Sequence, residues 1–402
     1  MRSGQVAAYT EPSLIAALRT LTDGADRAHS ANLSGNALHQ TSASSDFAVS
    51  SRRDGKRAVS GVTLAPPIIG FCLAASAVWW AGTRLPRFVV ALSDKTSLGQ
   101  GFAGLLVLGG ITSLPELATA TTAAAIGAPL LAMNDVLGSA AFNVLLLAIA
   151  DMLLGPRPLT SVVARPVTLI QGVSGMMVLA LIIAAITSDG RAPIGGPYLW
   201  PAIIFAASIA SIHIADRTER RPMWQVIDQP ERAFAEAAKQ SEISWRTLLL
   251  WLSILAAIIM VAGATLAATA ARIATQTGIG GSLMGFLFVS AATSLPEFSA
   301  IIGAIRHQRY ELAIGEVFGS NLFNFSFILI IDAVSSGPPV LGLAGPFEAM
   351  AALLALLMSG VFVLGLVERR DRTILRMGED SLAVIVVYGA GLAFLLGAAP
   401  GH

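Results

Sequence analysis

Ten stretches of this chain are long and apolar enough to cross a lipid bilayer as helices. They fall near residues 64–83, 101–125, 129–154, 166–187, 198–215, 247–271, 281–305, 311–334, 346–367 and 381–398, each near the about 20 residues that a spanning helix needs. Hydrocarbon offers no water to peptide groups, so a span must satisfy its own backbone as a helix or join a closed barrel. A barrel would read as short alternating segments, and the chain shows none. The fold class is therefore an all-α polytopic membrane protein of about ten transmembrane helices. The charged fraction agrees: 13% of residues, against about 25% in a soluble domain.

Residues 1–60 are polar, rich in Ser, Ala, Thr and Asn, and end in the basic run Arg52-Arg53-Asp54-Gly55-Lys56-Arg57. They read as a disordered tail without the apolar core of a secretory signal. The long charged connection 216–246, in which Glu231 to Glu242 is a candidate surface helix, separates two sets of five spans, 61–215 and 247–402. The single cysteine, Cys72, allows no intrachain disulfide, and the five histidines are scattered. A soft-ligand metal site is not expected.

Each set of five carries one copy of a repeat. Thr112-Ser113-Leu114-Pro115-Glu116 recurs as Thr293-Ser294-Leu295-Pro296-Glu297. Without a gap, Asp135 then matches Glu316, Gly138-Ser139 matches Gly319-Ser320, Phe142-Asn143 matches Phe323-Asn324, and Asp151 matches Asp332. About a third of the positions agree over roughly 40 residues, the mark of an internal duplication.

Charge in the loops orients the copies. The connections after spans one, three, five, seven and nine hold 17 Lys/Arg, and those on the other side only Arg191 and Arg272. By the positive-inside bias the long linker is cytoplasmic and both termini lie outside; the seven Lys/Arg before the first span run counter to this. The two copies then cross the membrane in opposite senses, as two inverted five-helix repeats. That is an architecture of secondary transporters, with the site where the repeats meet.

Thr112 and Glu116 stand four residues apart and share a helix face. Pro115 cannot donate to the carbonyl of Ile111, which frees a backbone oxygen beside them. The next span offers Asp135, Ser139 and Asn143 at four-residue steps, and Gly138 allows close helix approach. Thr293, Pro296, Glu297, Glu316, Gly319, Ser320 and Asn324 repeat the set. Every donor is oxygen, which suits hard cations. Two central carboxylates match one divalent ion or several monovalent ones, and no Lys or Arg lies mid-span to neutralise them. Asp135 and Glu316 read either as ancillary or entrance residues or as solvated helix-start acids. Asp151 and Asp332, closing their spans, read as interfacial.

These motifs resemble the duplicated α-repeats of the sodium/calcium exchanger family. The resemblance implies Ca2+/Na+ transport sites lined by Thr112, Glu116, Ser139, Asn143, Thr293, Glu297, Ser320 and Asn324, with Ser113 and Ser294 ancillary. It implies electrogenic exchange of several Na+ for one Ca2+. Two departures stand out: Ala140 where the family writes Asn, as Asn321 does in the second copy, and Ile111 where Gly or Ala is usual. Potassium-dependent relatives carry Asp at the place of Asn324, and proton-coupled ones a different first motif. The expected activity is Na+/Ca2+ antiport in an inner membrane by alternating access. The alternatives are a cation/proton antiporter of the same fold and an ion-binding sensor or channel. No enzyme chemistry, organic cofactor, nucleic acid or protein partner is expected; the partners are Na+, Ca2+ and the lipid bilayer.

Overall fold

The structure is a computed structural model that describes residues 63–96, 110, 113–154, 158–162, 165–191, 196–220, 243–306, 310–369, 372–374 and 376–398. The expected tail 1–60, Thr112, Ile111 and the candidate helix 231–242 lie outside the described residues. Helices dominate: α1 (Ala65–Gly82), α2 (Leu85–Thr96), α3 (Leu114–Ala125), α4 (Pro129–Leu154), α5 (Leu159–Val162), α6 (Pro166–Thr187) and α7 (Leu199–Arg220) precede the linker. After it come α8 (Trp245–Thr277), α9 (Gly281–Thr293), α10 (Leu295–Arg306), α11 (Tyr310–Phe325), α12 (Phe327–Val334), α13 (Val340–Leu343), α14 (Pro346–Glu368) and α15 (Glu379–Ala398). A two-residue antiparallel pair, Thr373–Ile374 with Met377–Gly378, precedes α15.

Among the described residues, eight helices have the length and apolarity to cross a membrane, or nine when the bent pair α9–α10 counts as one span. The protein is a multi-pass membrane protein. Expected span two is described only from Ser113 on, apart from Gly110. Two bounds are corrected. The connection 216–246 begins inside α7, which runs to Arg220, and Arg272 sits on α8 rather than in a loop.

Several helix ends follow from local chemistry. Ser244 accepts from the Thr247 N–H at 3.2 Å to cap α8, satisfying one of the orphan donors of the first turn. Gly278 closes the same helix with φ +76°, where a Cβ would be strained. Pro115, Pro166 and Pro346 open α3, α6 and α14, at positions whose missing N–H costs nothing.

Two spans are interrupted. Between α9 and α10 the chain bends by 43° at Ser294, two residues before Pro296, and α9 contains a π-helical stretch at Met284–Val289. The span expected at 311–334 breaks at Ser326, whose N–H bonds back only three residues to the Phe323 carbonyl.

The helices α4, α11 and α12 are the most buried spans, and α1 and α15 the least. Around α4 pack α3, α9, α11, α14 and α15, while α8 lies along α1 and α3. The repeat-bearing helices thus occupy the middle of the bundle. Close contacts of α4 with α9 are made at glycines: a Cβ on Gly138 would lie 2.2 Å from the Phe286 carbonyl oxygen, and one on Gly285 would lie 2.4 Å from that of Leu131. Small residues here let backbones meet where packing, not the hydrophobic effect, holds helices together. Gly319 has no such role; the nearest atom to its Cβ position is 3.6 Å away, in Gln171.

Candidate cation site

The first turn of α3 carries Glu116 and the first turn of α10 carries Glu297. Both follow the proline that opens or bends the helix, so the carboxyl groups emerge where the regular backbone ladder is interrupted. They are 0% and 2% exposed, and among the described residues no side chain other than the partner carboxyl hydrogen-bonds to them. The two carboxyls lie close enough to act directly on one another, and Asp135 acts electrostatically on both. Glu316, only partly buried, adds its field at Glu297. No cationic side chain among the described residues balances Glu116, Glu297 or Asp135.

Asp135, Ser139 and Asn143 follow one another along a single face of α4, all fully buried. Asp135 accepts from Thr119 on one oxygen, at a short distance, and from Thr293 Oγ1 on the other at 3.1 Å. Thr293 Oγ1 has the Ser290 carbonyl at 3.2 Å as an alternative acceptor, and Ser139 Oγ stands 3.4 Å from it. This corrects the reading of Asp135 as a solvated helix-start acid. It lies in the second turn of α4, sealed from solvent and held by hydroxyls from both halves of the chain.

From α11, Ser320 and Asn324 are buried at 4% and 1% exposure. Ser320 Oγ donates to the Val317 carbonyl at 3.1 Å, a bond within its own helix. Both polar atoms of Asn324 are buried without a partner, as are Ser113 Oγ, Ser294 Oγ and Asn143 Oδ1. Asn143 differs in its nitrogen, which donates to Asn321 Oδ1 at 2.9 Å; Asn321 Nδ2 in turn donates to the Ala140 carbonyl at 3.2 Å.

The structure thus links Glu116, Glu297, Asp135, Thr293 and Ser139 to one another, with Glu316 acting on Glu297; Ser113, Asn143, Ser294, Ser320 and Asn324 are buried on the same repeat-bearing segments, and Thr112 lies outside the described residues. Thr119, bonded to Asp135, and Asn321, bonded to Asn143, were not foreseen. Asp151 and Asp332 stand near the ends of α4 and α12 and make other contacts. Each is buried and accepts the N–H eight residues on, Asp151 from Leu159 at 2.5 Å and Asp332 from Val340 at 2.6 Å.

Among the described residues no three His, Cys, Asp or Glu side chains form a group able to hold a metal ion. The centre instead mixes two facing carboxylates with hydroxyl and amide oxygens, a hard donor set without nitrogen or sulfur ligands. Unpaired carboxylates in a protein interior are costly, and in a membrane span they mark ion pathways. This centre calls for mobile positive charge.

The bundle and its buried acids define a cation antiporter. Residues 66–208 and 247–397 match the model of the sodium/calcium exchanger protein family, and the chain belongs to that family. A protein of Alkalimonas amylolytica named as an antiporter, CaxA, is 25% identical over 300 residues, covering 69% of this chain and 85% of that one. The fold is also that of the H+/Ca2+ exchanger CAX, with TM-score 0.57 and 13% identity over 83% of this chain and 86% of that one. The sodium-calcium exchanger NCX_Mj gives TM-score 0.51 and 18% identity over 82% and 99%.

Proposed function

We propose that this protein exchanges Na+ for Ca2+ across a cell inner membrane by alternating access. In this reading Glu116 and Glu297 bind Ca2+ together and share Na+ in its absence. Thr112, Ser139, Asn143, Thr293, Ser320 and Asn324 complete the flanking sites, and Ser113, Ser294, Asp135 and Glu316 shape them. The two repeats lie inverted about this centre, the linker is cytoplasmic, and both termini face outside.

One observation carries the reading: Glu116 and Glu297, from separate repeats, face each other in the bundle, and among the described residues no basic side chain and no other side-chain donor balances them. Emptied of cations, the pair would have to cross between states as buried charge, which is unfavourable. Loaded by either ion it is neutralised, so turnover is tied to cargo. That is the physical basis of exchange rather than leak.

A second reading, a cation/proton antiporter, draws on Asp135. It places a third buried acid beside a pair that already balances one divalent ion, leaving room for protons as counter-cargo. Transport separates the two. In everted vesicles with pH clamped, a Na+ gradient should drive 45Ca2+ movement that survives a protonophore. Movement that follows only an imposed pH gradient would establish the second reading instead. Glu116→Gln should abolish either exchange at normal expression.

A further inference from the structure

Asn143 and Asn324 occupy matched positions, 181 residues apart, yet the structure treats them differently. Asn143 is tethered: its nitrogen is bound to Asn321, and Asn321 is anchored in turn on the Ala140 carbonyl. A planar amide held by its nitrogen has its oxygen fixed, so Asn143 Oδ1 is left as a buried acceptor without a donor. The same offset that relates Asn143 to Asn324 relates Asn321 to residue 140, which is alanine. The residue that would tether Asn324 has no side-chain amide, and Asn324 is 1% exposed with both polar atoms unpartnered.

A buried amide with neither bond made is an expensive arrangement, and natural interiors rarely keep one without a use. A cation accepted by Oδ1 is the remedy the rest of the centre supplies. The two halves then meet the ion on different terms. One oxygen is preset, and the other must be turned by the ion that it binds.

We propose that Asn321 is a positioning residue that presets Asn143 Oδ1 toward the transported cation, and that Ala140 leaves Asn324 to be oriented by the cation itself. The inference rests on the reading of this centre as the ion site. Asn321 touches no ion; it acts through Asn143. Residue 140 sets how much of the site exists before binding, because pre-organising a ligand saves the ordering that binding would otherwise cost.

The test moves the tether from one repeat to the other. In reconstituted full-length protein, Asn321→Ala should raise the KM for Ca2+ several-fold with kcat little changed. Ala140→Asn should lower KM and slow turnover, since a preset second oxygen holds the ion longer. The double variant Ala140→Asn/Asn321→Ala should return KM toward that of the parent. Additive losses in the double variant, or an Asn321→Ala variant that loses thermal stability and kcat together at constant KM, would overturn the proposal. Should Ala140→Asn fail to fold, the KM-against-kcat split of Asn321→Ala decides alone. A parent protein that moves no cation sinks the site reading and this inference together, whereas an active parent with an unmoved KM in Asn321→Ala sinks the inference only.

Discussion

Thr293 and Asp135 meet 3.1 Å apart in the middle of the bundle, one from the second repeat and one from the first. With Thr119 on its other oxygen, Asp135 is clamped by two hydroxyls from different helices. Charge-assisted bonds of this kind contribute about 1.5–3 kcal/mol each. Thr293→Val should therefore weaken cation binding strongly, by roughly tenfold or more, since it removes both the clamp and a hydroxyl of the site. Thr293→Ser should retain most activity because the hydroxyl survives. Initial rates of 45Ca2+ exchange against cation concentration check this; equal defects in the two variants would show that the threonine methyl, not the hydroxyl, matters.

The outer helices touch the site helices through a matched pair of glycines. A Cβ on Gly82 of α1 would lie 2.3 Å from Pro296 Cγ, and one on Gly263 of α8 would lie 2.6 Å from the Ala118 side chain and 3.3 Å from the Pro115 carbonyl oxygen. Gly82 and Gly263 are again 181 residues apart, and each presses on the proline segment of the other repeat. Added volume in such contacts costs about 1–3 kcal/mol. Gly82→Ala and Gly263→Ala should both lower the unfolding midpoint in detergent. Gly303→Ala on α10, where a new Cβ meets nothing within 4 Å, should leave it unchanged or raised.

The spans were legible in the sequence because hydrocarbon imposes one demand on all of them. The observed helices at Pro129–Leu154 and Pro166–Thr187 coincide with the apolar runs. The interruption of the backbone ladder at Pro296 was legible too, since proline removes a donor. The break at Ser326 was not, because no proline or glycine announces it there. Within the site, matching the two copies selected residues that have a mate, which brought out Glu116 with Glu297 and Asn143 with Asn324. The same criterion hid Thr119, whose counterpart is Ala300, and Asn321, whose counterpart is Ala140. What duplication cannot show is where the copies have diverged, and in this protein the hydrogen bonds that orient the site lie there.

Glu348 lies outside the repeat motif and was likewise unforeseen. It is 3% exposed in the first turn of α14. One oxygen accepts from Asn134 at 2.9 Å and Ser282 at 2.6 Å, and the other from the Gly345 N–H at 2.8 Å. It thus pins the start of α9 to α4 at Asn134, the residue before Asp135. Each donor left buried and unpaired costs about 1–3 kcal/mol. Glu348→Ala should destabilise the protein by more than a single bond is worth, and Glu348→Gln, which keeps one acceptor, by less. Amide hydrogen exchange should quicken at Ala349 and around Met284 in both. Unchanged protection at Met284 would mean that the Ser282 contact does not hold α9 in place.

Asp151 and Asp332 give the sharpest contrast between the copies. Both accept an N–H eight residues on and so fix the short helices α5 and α13 against the spans that they close. Asp151 uses its second oxygen as well, accepting from the Gly378 N–H at 2.7 Å, whereas the second oxygen of Asp332 is buried without a donor. An asparagine keeps one acceptor and turns the other into an NH2 donor. At position 332 the NH2 replaces an oxygen that made no bond, so Asp332→Asn should be tolerated within about 1 kcal/mol or prove stabilising. At position 151 the NH2 must face a backbone N–H, so Asp151→Asn should cost about 1–3 kcal/mol more and loosen the Thr373–Gly378 hairpin. Urea or thermal unfolding of the two variants in one detergent measures the difference; equal losses would show that charge, rather than the count of accepted bonds, is what both aspartates contribute.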